Sequence, residues 1–193
     1  MPEHPFAQIA TDGLQRVLGH LAEGIRQERF RAVLFGGFAL PVYGVERLTL
    51  DIDFMIADTT LSPFAAWLAQ VGYAQALRTP QYAKFRHPQR EVYDIDTVFV
   101  DQPSFDRIWA MASWHAISNT SLPVASLDIL LGTKLHALRY NEGQRTKDDL
   151  GDVVNLLVHN QIDPNGQRFA AICAKYGTPE LHRRICQRLP TSP

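Results

Sequence analysis

The chain has 193 residues, 46% of them hydrophobic and 20% charged, enough to bury one sizeable core. Its 19 Lys and Arg against 20 Asp and Glu give a formal net charge of -1, which argues against a strongly basic nucleic-acid coat and an acidic disordered tail. The 12 Gly and 12 Pro are dispersed, no apolar run approaches the ~18 residues of a membrane span, and Met1 to Ala10 lacks a secretory pattern, so a cytoplasmic protein without membrane attachment is expected.

Apolar residues from Phe6 to Ile25 recur at helical spacing and predict a first amphipathic helix over 5–28. Ala32 to Phe35 is a short apolar strand ended by Gly36-Gly37, and Phe38 to Tyr43 reads as a short helix despite Pro41. Leu48 to Ile56 alternates apolar residues with Thr49, Asp51 and Asp53, which predicts a strand. Ser62-Pro63 opens a helix running to about Val71. Tyr82 to Phe85 and Val92 to Val100 read as strands, Pro103 to Trp114 as a helix capped by Ser104, and Ile117 to Val124 as an extended stretch. After Val124 four helical patterns follow, ending in the one that carries Leu181, Ile185 and Leu189. The expected class is α+β, with a core over 1–122 that includes the N-terminal helix and a helical region over 123–193 packed on it.

Residues two apart on a strand share a face, so the carboxylates of Asp51 and Asp53 converge, as hard oxygen ligands for a divalent metal must. Two aspartates are too few for the two-metal arrangement of phosphoryl transfer, and either Asp94 or Asp96 on the later strand can complete it. About one such D-x-D spacing is expected by chance in a chain of this composition, so the conjunction with the glycine turn carries the signal. Gly36 and Gly37, between a strand and a helix start, let backbone amides approach a triphosphate. Lys134 falls on the apolar stripe of Leu130 and Leu131 and faces inward. Its ammonium either contacts the triphosphate or reaches solvent along the core. Asp149 and Asp152 share one side of the next helix, which leaves a Lys134–Asp149 pair open. The basic runs Lys84 to Arg90 and His182 to Arg184 read as solvated faces or phosphate contacts, and Cys173 and Cys186 as buried thiols. No histidine spacing suggests zinc, and no G-x-S-x-G elbow is present.

Phe35-Gly36-Gly37 followed by Asp51-Ile52-Asp53 resembles the signature of the polymerase β-type nucleotidyltransferases, and Arg47-x-Thr49-x-Asp51-Ile52-Asp53-Phe54 resembles its AbiEii-type toxin branch. The similarity continues through Ile95-Asp96-Thr97, the Lys134 helix and Lys147-Asp148-Asp149-Leu150-Gly151-Asp152. It departs at Gly37, where many members have Ser, and at Asp148, which is extra. The resemblance implies a nucleotidyltransferase fold, a mixed sheet flanked by helices and followed by a helical part, and it favours Asp96 over Asp94. It further implies that Asp51, Asp53 and Asp96 hold Mg2+ or Mn2+, with Lys134 as a fourth catalytic residue, and that Gly36, Gly37, Thr49, Lys134 and Asp149 bind the NTP. The expected reaction moves NMP from an NTP to an acceptor hydroxyl with release of pyrophosphate. RNA, with tRNA foremost, is the implied acceptor and an antitoxin protein the implied partner. The competing readings are a small-molecule, antibiotic-type nucleotidyltransferase and a nucleotide-binding module without turnover. A D-x-D sugar transferase fits less well, because the order strand, glycine turn, helix, acid strand does not suit a doubly wound domain.

Overall fold

The computed structural model describes residues 5–89, 93–140 and 145–189, with the side chains of 5–11 and 145–147 outside the description. Its contacts divide the chain into two compact units, one built from the residues up to Phe38 with Leu48–Ala125, the other from Ala39–Arg47 and the residues after Ala125.

The first unit is organised by a seven-stranded mixed sheet in the order β3-β4-β5-β2-β1-β7-β6. The strands are β1 Val33–Phe35, β2 Asp51–Ala57, β3 Ala74–Arg78, β4 Tyr82–Arg86, β5 Asp94–Val100, β6 Ser113–Ile117 and β7 Thr120–Val124. Its helices are α1 Pro5–Arg26, α2 Leu61–Ala69 and α3 Gln102–Met111. Alternation in β2 sends Ile52, Phe54 and Ile56 into the core while Asp51 and Asp53 stay half-buried on the opposite face. The same pattern buries Ile95 and Thr97 in β5 and Ala83 and Phe85 in β4. Phe64 of α2 fills the apolar side, with its ring 5.7 Å from Phe85 and 5.1 Å from Phe30 between centroids, edge-on to both. Removing that ring costs about 3–5 kcal/mol, the usual toll of a Phe-to-Ala cavity. α1 adds Leu18, Leu21 and Ile25.

Several elements differ from the sequence expectation. β2 starts at Asp51 rather than Leu48: β1 ends at Phe35 opposite Asp53, and pairing with β5 begins at Asp51↔Asp94, leaving Leu48 and Leu50 in solvent. β3 was not expected, because it is an edge strand exposed at every position and carries no alternation. The stretch 117–124 is half of a hairpin, turned at Ser118 and Asn119, both at positive φ (44° and 65°), and Trp114 belongs to its first strand rather than to α3. The cap of α3 is Asp101, whose Oδ1 accepts from the Ser104 amide at 2.9 Å, so Ser104 supplies the donor and not the cap. Pro41 sits in a 3₁₀ helix over Gly36–Tyr43. The expected strand residue Val92 and the basic residue Arg90 lie outside the described residues.

The second unit carries α4 Leu127–Tyr140, α5 Arg145–His159, α6 Gln167–Tyr176 and α7 Pro179–Cys186, the four C-terminal helices the periodicity predicts. Leu130, Leu131, Leu135, Val153, Leu156, Phe169 and Ile185 form its core. A Cβ at Gly132 would lie 2.9 Å from the Tyr176 ring, so glycine permits α4 and α6 to cross closely. Asn160 donates to the Tyr43 carbonyl at 3.0 Å and fastens the segment 39–47 to α5. Among the described residues no helix is long and apolar enough to cross a membrane.

Candidate active site

The parallel register of β2 and β5 places Asp53 beside Asp96 and Asp51 beside Asp94, all on the face opposite the aromatic core. Oxygens of Asp51, Asp53 and Asp96 lie within 4.8 Å of one another, and all three residues are half-buried. Asp94 is drawn elsewhere, to Arg86 at 3.2 Å and Lys84 at 3.6 Å. Of the two acids that the alternation left open, Asp96 is the one in the described cluster. Asp96 Oδ1 is buried and accepts no hydrogen bond; the Lys84 ammonium stands 3.2 Å away as an ionic contact outside hydrogen-bond direction. Burial raises the Asp96 pKa above the ordinary carboxylate value and the charges of Asp51 and Asp94 add to this, against the opposing pull of Lys84. Three hard oxygen donors in a half-buried cluster, one of them with an unused buried lone pair, fit a divalent cation such as Mg2+ or Mn2+.

The glycine turn adjoins this cluster. Gly36 has φ +67°, a conformation that favours glycine, and a Cβ there would overlap the Asp53 carboxylate, reaching Cγ at 2.6 Å. A Cβ at Gly37 would meet Thr49 Cβ at 2.6 Å and Oγ1 at 2.7 Å. The Thr49 hydroxyl in turn donates to Asp51 Oδ1 at 3.0 Å. Each glycine therefore makes room for a side chain that forms or orients the acidic pair.

Within the helical unit, the ammonium of buried Lys134 lies 2.6 Å from Asp149 Oδ1 and 2.7 Å from Asp152 Oδ2. Arg47 donates to Asp152 at 2.6 Å and reaches Asp149 at 3.8 Å. Burial would lower the Arg47 pKa, but the hydrogen bond to Asp152 and the charges of Asp152, Asp149 and Asp148 outweigh it and hold it above its ordinary value. The open Lys134–Asp149 pair is formed, and Asp148 is an exposed third acid 3.9 Å from Arg47. The side chain of Lys147, the first residue of that motif, lies outside the described ones.

The sequence profile described as "Nucleotidyl transferase AbiEii toxin, Type IV TA system" matches residues 16–191, nearly the whole chain. The chain belongs to this family. No curated protein matches it by sequence. Among solved structures, the lincosamide antibiotic adenylyltransferase LnuA is similar with a TM-score of 0.51 at 18% identity, over 75% of this chain and 94% of that one. ANT(2'')-Ia in complex with adenylyl-2''-tobramycin gives 0.59 at 11% identity, over 90% and 97%. An antigenic nucleotidyltransferase-like protein from Paracoccidioides brasiliensis gives 0.54 at 17%, over 94% and 95%. These likenesses establish the nucleotidyltransferase fold, and the family makes the protein a nucleotidyltransferase-family enzyme.

This AbiEii chain also shows what sequence reasoning missed. Gly37 departs from the Ser found in many members in a structure where Thr49 occupies the space a Cβ would need. Lys84 stood out only as part of a basic run, yet the register Lys84↔Asp96 sets it against the acidic cluster. Its signal was the alternation of Lys84 with buried Ala83 and Phe85, which assigns a face but not a neighbour. The partnership of Arg47 with Asp152 joins residues 105 positions apart and has no local signature. In the remaining basic run, Arg183 is exposed and pairs with exposed Glu180 one turn away in α7, while half-buried His182 bonds to the Pro164 carbonyl at 2.8 Å.

Proposed function

We propose that the protein transfers a nucleoside monophosphate from an NTP to a hydroxyl of RNA, with the 3′ end of tRNA as the first acceptor to test, and releases pyrophosphate. The observation that carries the transfer reaction is the convergence of Asp51, Asp53 and Asp96 within 4.8 Å. When bound, Mg2+ or Mn2+ supplies positive charge to the reacting phosphate and to the attacking and leaving oxygens. Asp51 and Asp53 hold the metal, and Thr49 keeps Asp51 in the required rotamer. Asp96 completes the ligand set and accepts the proton of the acceptor hydroxyl as its oxygen bonds to the α-phosphorus and the bond to pyrophosphate breaks. Gly36 and Gly37 seat the triphosphate, and Lys134, with its ammonium oriented by Asp149, compensates phosphate charge. In this reading the core 1–122 carries the chemistry and the helical region 123–193 supplies the lysine.

The family's description as a type IV toxin supports an antitoxin partner protein and a cytoplasmic site of action, and the RNA acceptor is part of the same reading. The similarity to LnuA and ANT(2'')-Ia, solved with lincomycin and with adenylyl-2''-tobramycin, favours a second reading, transfer to a small-molecule hydroxyl. Each α-³²P NTP is incubated with the protein and Mg2+, in parallel with total bacterial RNA, a lincosamide and an aminoglycoside. Labelled RNA supports the first reading and names the base; a labelled antibiotic with unlabelled RNA supports the second. NTP binding without pyrophosphate release under every condition overturns both in favour of a non-catalytic nucleotide-binding module.

A further inference from the structure

Lys84 projects from β4 on the same face as the acidic cluster, between flanking residues, Ala83 and Phe85, that are buried in the core. The register sets it directly opposite Asp96, and its ammonium lies 3.2 Å from Asp96 Oδ1 and 3.6 Å from Asp94 Oδ2. Its side chain is 23% exposed, as is that of Asp96, so solvent screens the pair only in part. Arg86, two residues on, takes the other side of Asp94 but is 63% exposed. On this face, among the described residues, Lys84 and Arg86 are paired with Asp94, and Lys84 alone of the two reaches Asp96.

We propose that Lys84 sets the affinity of the acidic cluster for its divalent cation, serving as a fixed counter-charge to Asp96. This rests on the reading of Asp51, Asp53 and Asp96 as metal ligands. The Lys84 contact to Asp96 Oδ1 is ionic and lies off the hydrogen-bond direction, so the ammonium leaves that oxygen's lone pairs open to a metal while holding the carboxylate in place. Its charge also repels the incoming cation. The result is an exchangeable metal rather than a permanently held one, as suits an enzyme whose NTP arrives with a metal of its own. Lys84 is a positioning and affinity-setting residue and touches no reacting atom.

The test is Mn2+ binding, followed by the electron paramagnetic resonance of the free ion, for wild type, Lys84→Met, Lys84→Gln, Lys84→Arg and Arg86→Gln. A unit charge acting on a divalent ion across a part-buried site is worth a factor of about ten or more. The Mn2+ Kd is therefore expected to fall about tenfold in Lys84→Met and Lys84→Gln, to fall less in exposed Arg86→Gln, and to stay near wild type in Lys84→Arg. A residue that merely supported the fold would loosen binding on removal, so tightening is the diagnostic result. Unchanged or weaker binding in both neutral variants overturns the proposal. If wild type binds Mn2+ and Asp53→Asn does not, that failure belongs to Lys84 alone; if wild type binds no Mn2+, the metal reading falls and takes this proposal with it.

Discussion

The sheet and the helical unit both gather carboxylates around cations, and they differ in how far the charges are satisfied. In the helical unit, Lys134 of α4 and Arg47 stand against Asp149 and Asp152 of α5, with exposed Asp148 also near Arg47, and both ion pairs of Lys134 are within 2.7 Å. On β2 and β5, oxygens of Asp51, Asp53 and Asp96 converge within 4.8 Å, and Asp96 Oδ1 is buried without a hydrogen bond. Burying charge is tolerated where partners satisfy it, and a buried carboxylate oxygen left without a hydrogen bond is open to a ligand. The contrast teaches that a buried carboxylate oxygen without a hydrogen bond separates a candidate metal site from an internal ion network, although both read as Asp-rich motifs in sequence.

The comparison breaks hardest at its acidic end. Asp51→Asn and Asp53→Asn each keep the shape and remove a charge that offsets several kcal/mol at the transition state. Label transfer from α-³²P NTP is expected to drop by about a thousandfold with the circular dichroism spectrum unchanged. In the helical network the same kind of change acts on stability: Asp152→Ala strips a carboxylate that serves Lys134 and Arg47 together. A loss of about 3 kcal/mol in urea denaturation is expected, the low end for a broken buried pair because Asp149 still serves Lys134.

Smaller effects sharpen the picture around the turn. Gly36→Ala forces a side chain into φ +67° and against Asp53, for a cost of about 1–3 kcal/mol and a loss of transfer activity. Gly19→Ala, in α1 with open space around the added carbon, is expected to stabilise by roughly 0.5–1 kcal/mol, measured in the same denaturation series. The least effect concerns the thiols. Burial pushes Cys173 up to about 11 from 9.0. Because the folded value lies above the unfolded one, its contribution to stability is complete below pH 9 and is lost as pH rises through 11. Iodoacetamide at pH 8, read by mass spectrometry, should modify the partly exposed Cys186 well before buried Cys173.

Much of this was legible in the sequence because it is periodic. The alternation of Asp51 and Asp53 with Ile52 and Phe54 placed two carboxylates on one face, and the helical spacing of apolar residues after Val124 predicted the four helices found there. What escaped was non-local or unpatterned. β3 is exposed at every residue, so no apolar rhythm marks it. Alternation alone left Asp94 and Asp96 open, and the resemblance favoured Asp96, the one the register brings into the cluster; the partnerships of Lys84 and Arg47 turn on which elements become neighbours. Alternation assigns a side chain to a face and is silent about what stands opposite it.

The central claim is that the acidic face of the sheet takes a divalent cation and the helical network does not. It is tested most directly by titrating Mn2+ into wild type, Asp53→Asn and Asp149→Asn side by side. The account predicts that Asp53→Asn abolishes binding while Asp149→Asn retains it at wild-type affinity; binding that survives Asp53→Asn and disappears in Asp149→Asn would contradict it.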